Sequence, residues 1–136
     1  MSPMNRKSDA YLSKTLFIRG LQCHKSLYLH KYHPDLKDEV SEQQEASFQT
    51  GRDVGVYAQN LFPNGVEILF DDVTLTDQLS RTTKEMEDGT AVIYEAAFSF
   101  DNIFVKVDIL RKHEGKWEIY EVKNSTSVKD VHHNDV

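Results

Sequence analysis

The sequence predicts an α/β domain in which N-terminal helices pack on a small mixed sheet with an antiparallel three-stranded meander at its heart. Three observations carry this expectation. Between Ser13 and Leu61 the apolar residues recur at helical spacing. Between Ala91 and Val122 three runs rich in β-branched and aromatic residues are separated by short polar turns. The length, 136 residues of which 39% are apolar, supports one sizeable core rather than two.

Composition narrows the class further. Seven Phe, six Tyr and one Trp are too many for a disordered tail. The single cysteine excludes an internal disulfide framework and, within this chain, a four-thiolate zinc or iron–sulfur site. No apolar run approaches the roughly 18 residues of a membrane span, and the opening MSPMNRKSDAYLSK has no apolar signal core. The expected setting is therefore cytoplasmic, away from the membrane. The net charge of −6 is unevenly spread: residues 1–37 hold seven Lys and Arg against two acids, and the rest of the chain is acidic. Tyr28 and Tyr32 lie among the lysines of that basic third, a composition suited to phosphates and bases. The solvated face of a helix has the same composition.

Residues 1–12 read as a flexible lead, and the domain is expected over 13–136. A first helix runs from Ser13, its N-cap, to about Tyr32; Gly20 is placed to bend it and Pro34 to end it. Residues 35–44 read as a polar loop. A second helix spans about Glu45 to Leu61, with Phe48, Val54, Tyr57, Ala58 and Leu61 on one stripe. Its Gly51 and Gly55 share a face, and two glycines in a helix interior imply a close packing contact that offsets their cost, about 1 kcal/mol each.

Val66–Phe70 reads as a short strand, and Thr76–Asp88 as a weakly amphipathic helix stopped by Gly89. The meander follows as Ala91–Phe100, Ile103–Leu110 and Lys116–Val122, turned at Asp101-Asn102 and over Arg111–Gly115. Ser127 with Asp130 three residues on resembles a capping box, which predicts a last helix seated on the sheet through residues such as Val128.

The residues that carry chemistry are Asp108, Glu121 and Lys123, with Glu95 nearby. Strand alternation puts Glu121 and Lys123 on one face and turns Val122 away. Their surroundings, VKVDIL and IYEVK, are apolar for two acids and a lysine, and buried charges need partners or a metal. Two neighbouring carboxylates repel unless a cation lies between them, and Mg²⁺ with oxygen ligands meets that need. A cross-strand ion pair on a half-exposed sheet uses the same residues, and the spacing alone does not separate the two. Another Glu-x-Lys, Glu114-Gly115-Lys116, lies in a turn where solvated charges need no explanation. Cys23 is expected to be a buried thiol.

The order of helix, Asp-bearing meander, Glu-x-Lys and helix resembles the PD-(D/E)XK nuclease superfamily, and more narrowly its RecB-like branch, which includes CRISPR-associated exonucleases. KTLFIRGLQCHKSLYL, FQTGRDVGVYAQNLFPNG, AVIYEAAF, VKVDIL and EVKNSTSVKD carry the likeness, which spans about 13–136. It implies a restriction-endonuclease-like core and Mg²⁺-dependent hydrolysis of DNA phosphodiesters, with Mn²⁺ able to substitute. Carried over, Asp108 and Glu121 are metal ligands, the Val122 carbonyl a third, and Lys123 the residue that positions the attacking water. Glu95 is either an extra ligand or a residue of the core edge. Lys14, Arg19, Lys25 and Lys31 are the expected nucleic-acid contacts. The position at which the branch carries a helix-two His is Gly55 here; Glu45 and Asp53 are the acids of that helix available to replace it. The last helix begins so near Val136 that a domain truncated at its C-terminus, part of a longer parent chain with further domains, is expected. The single cysteine leaves no iron–sulfur cluster in this piece, and with the branch's His and final helix motif missing the piece is expected to cleave weakly or not at all. The alternative is a nuclease-fold module that binds nucleic acid or protein without turnover.

Overall fold

The computed structural model describes residues 12–135. Its frame is one mixed five-stranded sheet. β1 (Leu12–Ser13) and β2 (Val66–Glu67) are short; β3 (Val92–Phe100), β4 (Ile103–His113) and β5 (Lys116–Tyr120) form the expected meander. The order is β1-β4-β3-β2, with β5 also on β4. β1 and β2 pair parallel to β4 and β3, and the meander pairs antiparallel. Apart from Leu12, which is a strand residue paired with Ile103, the lead expected over 1–12 lies outside the described residues.

Both meander turns are two-residue turns with positive φ at each central residue, Asp101 and Asn102 (47° and 62°), then Glu114 and Gly115 (49° and 77°). Such turns match the twist of a hairpin. The second is shorter than the Arg111–Gly115 turn expected from polarity, because Arg111 to His113 continue β4 with their charged ends in water. The core lies on this sheet: Ile68, Ile93, Ala96, Val107 and Leu110 are buried together, with Met86, Phe98 and Trp117 packed against them.

The helices are α1 (Lys14–Gln22), α2 (His24–Tyr32), α3 (Glu42–Asn60) and α4 (Leu75–Glu87). Ser13 caps α1 as expected, its Oγ accepting from Leu16 N–H at 3.2 Å. The break falls at Cys23, not Gly20: Cys23 is extended, and its Sγ accepts from Ser26 N–H at 3.4 Å to cap α2. Cys23 is consequently exposed, correcting the expectation of a buried thiol. Gly20 serves the packing of the two helices, since a Cβ there would lie 2.9 Å from Leu27 Cδ2.

α4 sits on the sheet through a mixed face, in which Met86 meets the core and two polar residues are the most buried. Gln78 and Thr82 are buried, and Thr82 Oγ1 accepts the Ala97 N–H of β3 at 2.9 Å. α3 opens with a capping box between Ser41 and Gln44 and buries none of its residues. The close contact expected at Gly51 and Gly55 is absent, with nothing within 4 Å of a Cβ at either. The last expected helix is a 3-10 turn, Asp130–Asn134, and Val128 is exposed. Ser127 does not cap it; its carbonyl accepts from Ser125 Oγ, and the Lys129 N–H goes to the His132 ring.

Candidate functional site

The site forms where β4 changes partners along one edge. β5 pairs with Ile109–His113 and β1 with Ile103 and Phe104, so residues 105–108 have neither strand beside them. Asp108 stands at the fork. The strand pairing would next set it opposite Glu121, but its carboxylate intervenes and Oδ2 accepts the Val122 N–H at 2.6 Å. The side chain thereby ends the ladder and turns the Glu121–Lys123 segment away from β4. On the other side of β4 the ladder also lapses, because Glu95, across from Asp108, is held at φ 57° in β3. A non-glycine residue in that left-handed region is uncommon and strained within a strand.

One cleft of about 590 Å³ brings together Lys14, Asp108, Glu121, Lys123 and Asp135. Lys14 arrives from the first turn of α1, where a cation opposes the helix dipole and needs acidic partners. It has them. Its ammonium donates to Glu121 Oε2 at 2.9 Å and to the Asp135 carbonyl at 3.0 Å, and lies 3.1 Å from Asp135 Oδ1. Lys123 donates to Glu121 Oε1 at 2.8 Å and also pairs with Asp135 Oδ2. Two carboxylates and two ammonium groups thus close a ring.

The exposures show which side needs the pairing more: Glu121 and Asp135 keep only 11% and 12% of their side-chain surface in water, Lys14 24% and Lys123 37%. Burial by itself would lower the pKa of both lysines, and their bonds to Glu121 and Asp135 outweigh it, leaving both raised. For Asp135 burial acts to raise the pKa, and the two lysines overcome it, leaving it lowered. Asp108 is the exception. Burial pushes its carboxyl above the usual carboxylate range; the Val122 N–H opposes this, Glu121 and Glu95 add to it, and Lys14 offsets only part.

A second cleft, also about 590 Å³, lies between α3 and the sheet and is lined by Gly51, Gly55, Glu67, Glu95, Asp108 and Val122. The expected set is therefore divided. Asp108, Glu121 and Lys123 share the first cleft, while Glu95 and Val122 line the second and meet the set only through Asp108. Glu95 is paired with Lys106 at 2.9 Å. Glu45 and Asp53 line neither cleft; they bond to Arg52 and Gln49 on α3 itself. Among the described residues no group of three or more His, Cys, Asp or Glu gathers at metal-holding spacing.

Of the residues expected to meet nucleic acid, Lys14 lies inside the charged ring rather than on an open face. Arg19 lines the first cleft and donates to Ser26 Oγ at 3.0 Å. Lys25 and Lys31 are exposed on α2. Sequence reasoning missed the partnership of Lys14, although a lysine directly behind an N-cap was its available signal. It missed Asp135 entirely, because one carboxylate in a polar segment gives no signal.

No protein-family model, curated protein or solved structure matches the chain. No helix among the described residues is long and apolar enough to cross a membrane.

Proposed function

We propose that the chain is a metal-dependent nuclease domain of RecB-like type that hydrolyses DNA phosphodiesters with Mg²⁺, for which Mn²⁺ substitutes. The supporting observation is the convergence of Asp108, Glu121 and Lys123 on one cleft at a break in the sheet. The proposal includes a cytoplasmic setting, further domains in a longer parent chain, and a restriction-endonuclease-like identity for the mixed sheet.

The residues fit a hard divalent cation in donor type. Asp108 and Glu121 are the carboxylates that would hold it. Glu95 and Val122, the further donors the resemblance implies, line the second cleft, which shares only Asp108 with the first. Asp108 supplies the electrostatic reason, since a carboxyl raised by burial and by two acidic neighbours gains from a cation beside it. When bound, the ion supplies positive charge against the charge developing on the phosphoryl oxygens. Lys123 supports this reading by its place beside Glu121, where its ammonium would orient a water and offset phosphate charge.

A binding module without turnover is the second reading, and one observation favours it. Both Glu121 oxygens already accept from lysines, so a cation there would compete with two ammonium groups for the same carboxylate.

Incubation with labelled DNA and Mn²⁺, with and without chelator, tests the proposal. Slow, chelator-sensitive cleavage is expected, and Asp108→Asn or Lys123→Ala should lower it about 100-fold or more. Equal rates in the wild type and both variants would assign the cleavage to a contaminant. Binding with no cleavage at any metal concentration would leave the second reading.

A further inference from the structure

We infer that Lys14 and Lys123 form a binding site for a phosphodiester oxyanion, and that the Asp135 carboxylate occupies this site as an internal stand-in. The geometry carries it. Asp135 sets one carboxylate oxygen on each ammonium, Oδ1 at 3.1 Å from Lys14 Nζ and Oδ2 on Lys123 Nζ. Two oxygens of one anion shared between two cations is how a bridging phosphate would sit.

The donor inventory agrees. An ammonium has three N–H donors. Lys14 directs one at Glu121 and the others at the carbonyl and carboxylate of Asp135. Withdrawal of this single residue therefore frees most of the hydrogen-bonding capacity of Lys14 and one contact of Lys123. Glu121 remains between the two ammonium groups and keeps them in place.

The two carboxylates are held differently. Glu121 follows β5 directly and is anchored through its neighbour Val122, whose N–H bonds to Asp108. Asp135 is delivered by a 3-10 turn at the end of an exposed, irregular stretch. The described hold on the cleft is made by Asp135 itself, so an incoming polyanion competes against one residue rather than against a packed element.

The cleft extends beyond this pair. Arg19 and Lys106 also line it, and the Arg19 Nε is buried with no hydrogen-bond partner among the described residues. A cleft of about 590 Å³ with further cations along its wall suits a strand with successive phosphates better than a free ion.

This inference deepens the proposed function, on which its choice of ligand rests, and it is read without metal so that the two can fail separately. The experiment measures anisotropy of a labelled single-stranded oligonucleotide in EDTA at low salt, for wild type, Asp135→Asn, Lys14→Ala and the Lys14→Ala/Asp135→Asn pair. Asp135→Asn keeps the shape and removes the charge, and melting curves report whether each variant folds. Expected is a gain in affinity of about three- to tenfold for Asp135→Asn, a steeper salt dependence, and loss of that gain in the double variant. Unchanged affinity in folded Asp135→Asn overturns the inference, as does a gain that survives Lys14→Ala. Stabilisation by inorganic phosphate without oligonucleotide binding overturns the strand as ligand. A gain in binding in EDTA, together with no cleavage by any variant in the separate Mn²⁺ assay, upholds the site and removes the nuclease reading.

Discussion

Asp108 concentrates the conflict between folding and function in one side chain. Its carboxylate replaces a ladder contact by accepting the Val122 N–H, yet burial and two acidic neighbours disfavour its charge. A carboxyl whose folded pKa lies above its unfolded value favours folding most at pH below the unfolded value. That contribution disappears as pH rises through the folded pKa. Ionised Asp108 therefore works against stability at neutral pH. Asp108→Asn, which can still accept the Val122 N–H, is expected to melt at a higher temperature than wild type at pH 7, the difference shrinking toward pH 4. Melting curves across that range check it. Asp135 has the opposite sign: its lowered pKa contributes stability above the unfolded value that is lost on acidification. The raised pKa values of Lys14 and Lys123 place the loss of their contribution on the alkaline side, above the ordinary lysine value of 10.5.

At the scale of elements, two kinds of glycine separate cleanly. Gly65 follows the turn after α3, and a Cβ there would lie 2.3–2.7 Å from atoms of the Tyr94 ring. Tyr94 is 8% exposed, and its hydroxyl directs its one proton at the Phe62 carbonyl, with the Gln59 carbonyl at 3.3 Å sharing it, while accepting the Gly65 N–H. Tyr94 thus ties the end of α3 to β3. Gly65→Ala should cost about 1–3 kcal/mol by overpacking, and Tyr94→Phe about 1–3 kcal/mol by orphaning those groups; urea unfolding measures both. Gly51 and Gly55 meet nothing, so alanine at either should stabilise α3 by about 0.5–1 kcal/mol. Their side of α3 faces the cleft that holds Glu95 and Asp108. A variant more stable yet poorer in nucleic-acid binding would show that the open space has a use; a variant only more stable would assign it to the helix alone.

Over the whole molecule, stability is unevenly distributed. The sheet and α4 enclose the fully buried residues, whereas α2 and α3 bury none of theirs. Hydrogen exchange should accordingly be slowest in β3 and β4 and much faster in α2 and α3. Equal protection throughout would contradict this distribution. Ile93, with no exposed surface, is a sensitive core position, and Ile93→Ala should cost about 2–5 kcal/mol, a large part of the 5–15 kcal/mol typical of a domain. The charge asymmetry along the chain also finds its outlet at this scale. The basic first third meets the acidic remainder where Lys14 binds Glu121 and Asp135, more than a hundred residues away in sequence.

The sequence by itself determined what is local. The meander was legible because its β-branched runs and the Asp101-Asn102 turn are set by neighbours in the chain, and the Ser13 cap and the Gly89 stop for the same reason. The second turn is shorter than polarity suggests, because charged residues that continue a strand look like a loop. Alternation along a strand reaching Val122 predicts the nearness of Glu121 to Lys123; β5 ends at Tyr120, and the pair instead meets through its own hydrogen bond beyond the strand. Tertiary structure decided the rest. The break at Cys23, where an extended residue caps the next helix with its own thiol, leaves no mark in apolar spacing, and the burial of Thr82 on α4 depends on the Ala97 N–H of β3 that it accepts. Whether Gly51 and Gly55 meet a neighbour is a matter of where α3 stands. The ring of Lys14, Glu121, Lys123 and Asp135 has no sequence signature, because charge pairing acts through space and its partners come from both ends of the described chain. Periodicity reports which face of an element is apolar; it carries no information about which distant charge that face will meet.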